Sequence, residues 1–260
     1  MVYNSNAIEN STLTLKDTED ILLRDLIKKD TDVREVYEAK NLAEITEIIL
    51  KEPDQKLTVE MILALHKILL TGIKNEYAGR FRSGREWVRV GNHVGANPDF
   101  TDSLIHELVK KYHKSTGYFL DKIAYFHAEF ETIHPFPDGN GRIGRVLINQ
   151  QLMALDYPAI IIRGKSKRTD YYPLFDEYLA RDSAARFTEL FALLLLEALN
   201  KYIAMMSVRK VIPLKDWAEQ NDVDTKIALN KAKRQTIPAF RLREKWHINE
   251  KFTVIEKEDG

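Results

Sequence analysis

Residues 134–145 read His-Pro-Phe-Pro-Asp-Gly-Asn-Gly-Arg-Ile-Gly-Arg, the most informative stretch of the chain. Pro135 and Pro137 end the helical pattern that precedes this stretch, because proline cannot continue a helix interior. Gly139-Asn140-Gly141 then leads into a second helical pattern. The sequence therefore predicts a tight, glycine-rich loop that runs into the N-terminus of a helix.

This loop has the composition of an anion-binding site. Free backbone N–H groups and the positive end of a helix dipole attract anions, and small glycines let a phosphate approach the backbone. Arg142 and Arg145 lie three residues apart, so both side chains lie on one helix face and can contact the same polyphosphate. The pattern predicts a polyphosphate site.

Two residues beside the loop supply further chemistry. Asp138 offers the hard oxygen ligand that Mg²⁺ prefers, and phosphate-bound Mg²⁺ typically takes only one or two protein carboxylates. His134 is a candidate general base, because a neutral imidazole can take the proton of an attacking hydroxyl. We interpret His127 as a structural or supporting histidine, since nothing nearby supplies further metal ligands. Together these residues indicate phosphoryl or nucleotidyl transfer.

The rest of the chain predicts a mainly α protein. Residues 79–98 are the exception, because Trp87, Val88 and other β-formers stand among four glycines and favour a hairpin or flap. Thr58 is typical of a helix N-cap. Elsewhere apolar residues recur at three- and four-residue spacing in eight segments: 16–28, 32–51, 58–72, 102–115, 118–133, 141–155, 169–181 and 186–206.

The pattern changes after residue 206. Pro213 precedes a short helical segment, 214–220, and a second one follows at 225–234. Residues 237–241 and 245–248 then alternate like two strands of a hairpin. We therefore expect a domain boundary near 207–212.

Bulk composition excludes several classes of protein. The 260 residues carry a formal net charge of zero, so no overall field attracts nucleic acid or a lipid surface. The sequence has no cysteine, which excludes disulfides, thiolate nucleophiles and zinc–cysteine sites. Neither a signal-peptide pattern nor an uncharged span of membrane length is present. We expect a cytoplasmic protein without membrane contact.

Residues 134–145 resemble the signature of the Fic family, His-x-Phe-x-Asp/Glu-Gly-Asn-Gly-Arg-x-x-Arg, at every fixed position. The preceding residues 127–133, the segment 79–95 and the general helix order are also similar to that family, over roughly residues 5–205. The resemblance implies a Fic-fold helical bundle with a β-hairpin flap, in a Fic domain that spans residues 1–206. Residues 207–260 resemble a small winged helix-turn-helix domain.

The resemblance also implies a reaction. His134 would deprotonate a Tyr, Thr or Ser hydroxyl of a target protein, which would attack the α-phosphate of ATP and release pyrophosphate. Asp138 would hold Mg²⁺ or Mn²⁺, and its acidic side chain favours adenylylation over the kinase-like transfer that goes with a basic residue there. ATP contacts are implied for Gly139, Asn140, Gly141, Arg142, Ile143, Gly144, Arg145, Tyr171 and Tyr172, although core packing explains one tyrosine of the pair equally well.

Residues 5–10, Ser-Asn-Ala-Ile-Glu-Asn, resemble the inhibitory pattern Ser/Thr-x-x-x-Glu-Gly/Asn of the same family. The resemblance implies an N-terminal inhibitory helix at about 4–12, with Ser5, Glu9 and Asn10 as regulatory residues. A Glu9 carboxylate paired with Arg145 would occupy the guanidinium that should bind the γ-phosphate, so resting activity should be low. An unstructured tail is the alternative.

Several alternatives stay open at this point. The flap would dock a segment of the target by strand addition, or it is an ordinary hairpin. The C-terminal domain would bind DNA, dock a protein or be structural, since acidic and basic residues nearly balance there. A nucleotide-sensing DNA-binding regulator, a Fic enzyme that transfers another group or removes AMP, self-modification and homodimer formation are further candidates. The sequence does not identify the target protein.

Overall fold

The structure is a computed structural model that describes residues 1–90, 93–207 and 210–253. The chain divides into two compact units, Met1–Glu189 and Leu190–Gly260. Each unit has its own hydrophobic core. The domain boundary near residues 207–212 stays a prediction, and parts of that predicted segment, 208–209, lie outside the described residues.

The first unit is almost entirely helical, as its apolar periodicity predicts. Thr58 caps its helix by accepting a hydrogen bond from the Met61 backbone N–H at 3.1 Å, which confirms the predicted N-cap. Thr14 forms a capping box with Asp17 at the start of another helix. The helices are α1 (Val2–Ile8), α2 (Leu15–Arg24), α3 (Val33–Lys51), α4 (Val59–Leu70), α5 (Thr101–Lys114), α6 (Phe119–Ile133), α7 (Asn140–Met153) and α8 (Tyr172–Arg181). A ninth helix, α9 (Ala185–Met206), begins in this unit and belongs mostly to the second one.

The core of this unit positions the signature loop, which we define as residues 134–139 between α6 and α7. Helices α3, α4, α6 and α7 pack together through their apolar faces. The buried side chains include Ile62, Leu69, Phe130 and Leu147. The last turn of α6 and the first turn of α7 therefore both lie against this packed core. A packed interior of this kind holds the loop between them in one conformation.

The segment between α4 and α5 contains a minimal hairpin. Strand β1 (Arg89–Val90) pairs antiparallel with β2 (His93–Val94), with Arg89 opposite Val94. Residues 91 and 92, which belong to the predicted hairpin, lie outside the described residues. A target-docking flap at 79–98 stays a prediction.

The second unit contains β3 (Val211–Pro213), α10 (Leu214–Gln220), α11 (Thr225–Lys233), β4 (Phe240–Leu242) and β5 (Lys245–Asn249). The strands form an antiparallel sheet in the order β3-β5-β4. Strand β4 begins later than the predicted residue 237, because Pro238 has no N–H to donate to a ladder. Strand β3 is an addition to the predicted elements, and residues 254–260 of the predicted domain 207–260 lie outside the described residues.

In the described part of the chain, every helix is too short or too polar to cross a lipid bilayer.

Candidate active site

The signature loop is closed by its own asparagine. The backbone N–H of Phe136 donates to Asn140 Oδ1 at 2.8 Å, and Asn140 Nδ2 donates to the Phe136 carbonyl at 2.8 Å. Gly139 immediately precedes α7 with a φ of 84°, and a Cβ there would lie 2.8 Å from Leu69. The Asn140 side chain thus holds the loop closed. As the first residue of α7, Asn140 has no intrahelical acceptor for its backbone N–H.

His134 terminates α6 in a left-handed conformation, with a φ of 52°. Its Nδ1 lies 3.3 Å from the Glu131 carbonyl oxygen. Because a carbonyl can only accept, Nδ1 carries the hydrogen and Nε2 is the free base. Burial lowers the pKa of His134 to about 4, so the imidazole is neutral near pH 7. The predicted general base is therefore in the protonation state that accepts a proton.

Arg82 holds the loop from the side of the 79–98 segment. Its side chain is 1% exposed, and its donors reach the carbonyl oxygens of His134 at 2.7 Å, Ala96 at 2.8 Å and Ile133 at 3.0 Å. Arg82 is not among the residues predicted from the sequence. Its only signal is its place in a glycine-rich segment, because a buried arginine cannot be distinguished from a solvated one by pattern.

His66 also contacts the loop, and it is likewise absent from the predicted set. Its ring stacks on Phe136 with the centroids 3.6 Å apart. The Gly79 backbone N–H donates to His66 Nδ1 at 3.1 Å, so Nε2 donates to the Asp138 carbonyl oxygen, 3.0 Å away. Burial lowers the pKa of His66 to about 4. A neutral histidine therefore fixes the backbone of the candidate metal ligand.

Arg145 is buried and paired with the N-terminal helix. Its Nη2 lies 2.7 Å from Glu9 Oε1, and it donates from Nε to Ser5 Oγ and from Nη2 to the Ser5 carbonyl, each at 3.0 Å. Burial acts to raise the pKa of Glu9, but Arg145 outweighs it and the pKa lies below the usual value. The structure thus brings Ser5 and Glu9 to Arg145. Helix α1 begins at Val2 and ends at Ile8, so the predicted bounds of about 4–12 are wrong at both ends.

Glycines of the signature leave room for this pair. A Cβ on Gly141 would lie 2.5 Å from Glu9 Oε1 and 2.9 Å from Arg145 Nη1. A Cβ on Gly144 would lie 2.3 Å from Glu131 Oε1. The two glycines therefore admit side-chain carboxyl groups next to α7, in addition to any role toward phosphate.

Glu131 is a largely buried carboxyl group beside the site, and it is not among the predicted residues. Its Oε2 lies 3.8 Å from His134 Nδ1, and its Oε1 has no hydrogen-bond partner among the described residues. Burial raises the pKa of Glu131 to about 8, so the group is protonated near pH 7. No sequence pattern indicates a neutral glutamic acid.

Asp138 is surrounded by cations. Lys74 Nζ lies 2.9 Å from Asp138 Oδ2, Arg34 Nη2 lies 3.2 Å from the same oxygen, and Arg142 Nη2 lies 3.2 Å from Oδ1. Burial acts to raise the pKa of Asp138, but these cations lower it below the usual value. The carboxylate is therefore ionised at neutral pH. Arg142 also pairs with Glu38 at 3.0 Å.

The two tyrosines of the predicted aromatic pair differ in environment. Tyr171 is 2% exposed, and its hydroxyl lies 2.7 Å from His127 Nε2, so it belongs to the core. Tyr172 is 39% exposed and donates to the Ile8 carbonyl at 3.0 Å. Ile143 is fully buried in the core. Contact with ATP through the Ile143 or Tyr171 side chain would need these groups to leave the core, so Tyr172 is the better placed of the aromatic pair.

Lys167 fixes the end of α1, and it too is absent from the predicted set. Its Nζ donates to the Ile8 carbonyl at 2.7 Å, the Ala7 carbonyl at 3.1 Å and Asn10 Oδ1 at 2.7 Å. Asn10 has a left-handed φ of 67°. Lys167 and Asn10 together cap the helix next to Glu9, since a cation satisfies the last carbonyls and complements the dipole.

Comparisons with known proteins point to one class of protein. Residues 56–152 match the model of the Fic/DOC family. It is homologous to proteins named protein adenylyltransferase Fic. That of Drosophila persimilis is 34% identical over 176 residues, which are 66% of this chain and 34% of the relative, so the chain spans about a third of that relative's length.

Solved structures agree with this class. A Fic domain containing signaling protein from Bacteroides thetaiotaomicron superposes with a TM-score of 0.69 at 26% identity, over 76% of this chain and 82% of that one. A Fic family protein from Desulfovibrio desulfuricans covers 98% of this chain and 86% of its own length, with a TM-score of 0.67. At 21% identity the latter likeness shows the fold alone.

Proposed function

We propose that this chain is a protein adenylyltransferase that transfers AMP from ATP to a Tyr, Thr or Ser hydroxyl of a target protein, itself included. One observation carries the proposal: a neutral His134, an ionised Asp138 and the start of α7 lie on a single rigid loop. The names of the homologues support the same activity. A base, a metal-binding carboxylate and an anion site within one loop are what nucleotidyl transfer requires.

The start of α7 would bind the phosphates of ATP. The backbone N–H groups of residues 139–141 are those of a helix N-terminus, where anions bind. Arg142 and Arg145 lie one turn apart on that helix and would neutralise the β- and γ-phosphates. Tyr172 is the candidate for contact with the adenine base.

Asp138 would hold Mg²⁺ or Mn²⁺. Its carboxylate is ionised and hard, and no cluster of three metal-ligating side chains exists among the described residues. That fits a cation that takes one protein carboxylate and completes its coordination with phosphate oxygens and water. When bound, the metal supplies charge neutralisation on the phosphates.

His134 would carry the proton. Its Nε2 accepts the proton of the target hydroxyl while that oxygen attacks the α-phosphorus, and the bond from this phosphorus to the bridging oxygen breaks. Pyrophosphate leaves, and its new charge falls to Arg142 and Arg145. The Glu131 carbonyl keeps Nδ1 protonated, so the imidazole presents the basic nitrogen to the target.

Glu9 would restrain this reaction. Its carboxylate holds the Arg145 guanidinium at 2.7 Å, where the γ-phosphate would bind, so ATP would lie in an unproductive pose while the pair persists. Ser5 and Asn10 support the restraint, from Arg145 and from the end of α1. We include α1 in the proposal as an inhibitory helix.

The hairpin β1–β2 and the second unit also have proposed roles. The hairpin β1–β2 would dock an extended target segment, because short strands with open edges can accept a further strand. The order of helices α10 and α11 and the sheet β3-β5-β4 support a winged helix-turn-helix in the second unit. Removal of AMP, transfer of another group, and homodimer formation are the remaining candidates.

The deciding experiment follows the label. The full chain carrying Glu9→Gly is incubated with Mg²⁺ and ATP labelled either on the α- or on the γ-phosphate, with and without His134→Ala. Label from the α-phosphate alone, lost with His134→Ala, is expected. Label from the γ-phosphate would contradict AMP transfer and support phosphoryl transfer, and competition by UTP would reveal another nucleotide.

A further inference from the structure

Charge is segregated in the second unit, although the whole chain is neutral. Residues 214–224 contain four acidic residues and a single lysine. Residues 225–243 contain no acidic residue and six cationic ones: Lys226, Lys231, Lys233, Arg234, Arg241 and Arg243. A net charge of zero therefore hides a basic segment that begins where α11 begins.

Helix α11 presents part of this segment to solvent. Ala228 and Ala232 are fully buried in the core of the unit, which fixes the inward face of the helix. Lys226, Asn230 and Lys233 are exposed and lie four and three residues apart, so they share one outward face. The exposed face therefore carries two cations around one amide.

The elements beside α11 narrow the surface further. Arg243 and Lys245 are exposed at the turn between β4 and β5, with Glu244 between them. Arg241 is a different case, because it lies 3.7 Å from Glu197 and stacks on Trp246 with 4.1 Å to the ring centroid. We define the α11 surface as Lys226, Asn230, Lys233, Arg234 and Lys245. Arg241 and Arg243 are not part of this definition.

We propose that the α11 surface is a docking site for duplex DNA. A helix enters the major groove of B-form DNA, whose width of about 12 Å admits it, whereas the deep, narrow major groove of duplex RNA excludes it. Asn230 lies at the centre of the outward face, and an amide there can pair with adenine while the lysines contact phosphates. The order helix, turn, helix and hairpin is that of known major-groove readers.

An acidic protein segment is the competing partner. Such a partner would need basic residues on the neighbouring elements as well. The preceding helix α10 instead carries the acidic residues Asp216 and Glu219. A DNA groove accommodates this arrangement because only α11 enters it and α10 stays outside. The observations thus favour DNA, and a protein segment becomes an outcome of the test.

Binding of the full chain to a fluorescently labelled DNA duplex tests the proposal, over a series of salt concentrations. We expect Lys226→Ala/Lys233→Ala to weaken binding at least about tenfold at low salt and to reduce the salt slope by about two, since each lost phosphate contact removes about one unit. The matched control is Lys215→Ala/Lys251→Ala, which removes the same charge from exposed positions outside the surface. It should bind like the parent chain.

Three results would overturn the proposal. They are an absence of duplex binding at low salt, an equal loss in both double variants, and tighter binding of a polyglutamate peptide than of the duplex. All four lysines are solvent-exposed, so we expect every variant to fold. Circular dichroism of each variant checks this. The outcome does not depend on AMP transfer, so it can fail while the proposed activity stands.

Discussion

Two charged positions of the stretch 134–145, which we call the Arg145 end and the Asp138 end, are occupied in opposite ways. At one end, the cation Arg145 is paired with the carboxylate of Glu9. At the other end, the anion Asp138 is paired with the ammonium group of Lys74. Each end thus holds a protein group with the charge of its proposed ligand, a carboxylate in place of phosphate and an ammonium in place of a metal cation.

The ends differ in how firmly they are held. Arg145 is 6% exposed and bonded to two residues of the N-terminal segment. Of the three cations around Asp138, only Arg142 is buried, whereas the Lys74 and Arg34 side chains are 35% and 47% exposed. Separating Glu9 from Arg145 leaves a buried guanidinium without its carboxylate, which costs more than opening exposed pairs, each of which contributes about 0–1 kcal/mol. We therefore expect control to lie at the Arg145 end, whereas the cations at the Asp138 end give way to its ligand.

The largest expected effect is therefore at Glu9. Glu9→Gly should raise the rate of AMP incorporation by about 10- to 1000-fold, if the unrestrained state is the minor one that two-state proteins typically populate at 0.1–10%. The measurement is the initial rate of label transfer from α-labelled ATP.

Glu52→Gly is the matched control, because this exposed glutamate ends α3 away from the site. It should leave the rate unchanged. An equal rate in the Glu9→Gly variant and in the parent would remove the restraint from the proposal and make the Arg145 end and the Asp138 end equivalent.

The next effect concerns Asp138. In the Glu9→Gly background, Asp138→Asn should lower the rate by about 100-fold, since the carboxylate that holds the metal against the phosphates is lost. Excess Mn²⁺ should restore part of the rate. Asp102→Asn is the control, because its side chain is 70% exposed and lies outside the site. Full activity of the Asp138 variant would exclude it as the metal ligand.

A pH experiment separates the two carboxyl groups near Arg145. Glu9 has a lowered pKa, so the pair it forms is complete above the unfolded value of 4.5 and is lost only as the pH falls through its folded pKa. Glu131 has a pKa raised to about 8, so the native state binds an extra proton and stability falls as the pH rises from about 4.5 to 8.

Glu131→Gln should therefore flatten the decline in unfolding free energy over that window, by at most about 1.4 kcal/mol per pH unit. Urea unfolding of parent and variant at pH 5, 6, 7 and 8 measures this difference. Parallel pH profiles would show that Glu131 is ionised in the native state.

The sequence predicts the elements of this site better than their partners. The helices, the Thr58 cap and the loop follow from local periodicity and from proline and glycine, which act within a few residues. The pairing of Glu9 with Arg145 was accessible only through a resemblance, because the two residues are 136 positions apart. Burial decides the protonation of Glu131 and the role of Arg82, and no local pattern encodes burial.

The smallest expected effect tests the exposed end. Lys74→Met in the Glu9→Gly background removes the ammonium group that competes for Asp138, and it should lower the half-saturating Mn²⁺ concentration by about two- to fivefold, as expected for a pair worth less than about 1 kcal/mol. Electron paramagnetic resonance of free Mn²⁺ with a non-hydrolysable ATP analogue measures binding without turnover. Lys67→Met, at an exposed position of α4, is the control. A shift as large as the Glu9 effect would mean that the Asp138 end is held as firmly as the Arg145 end, because the exposed pair would then cost as much to break as the buried one.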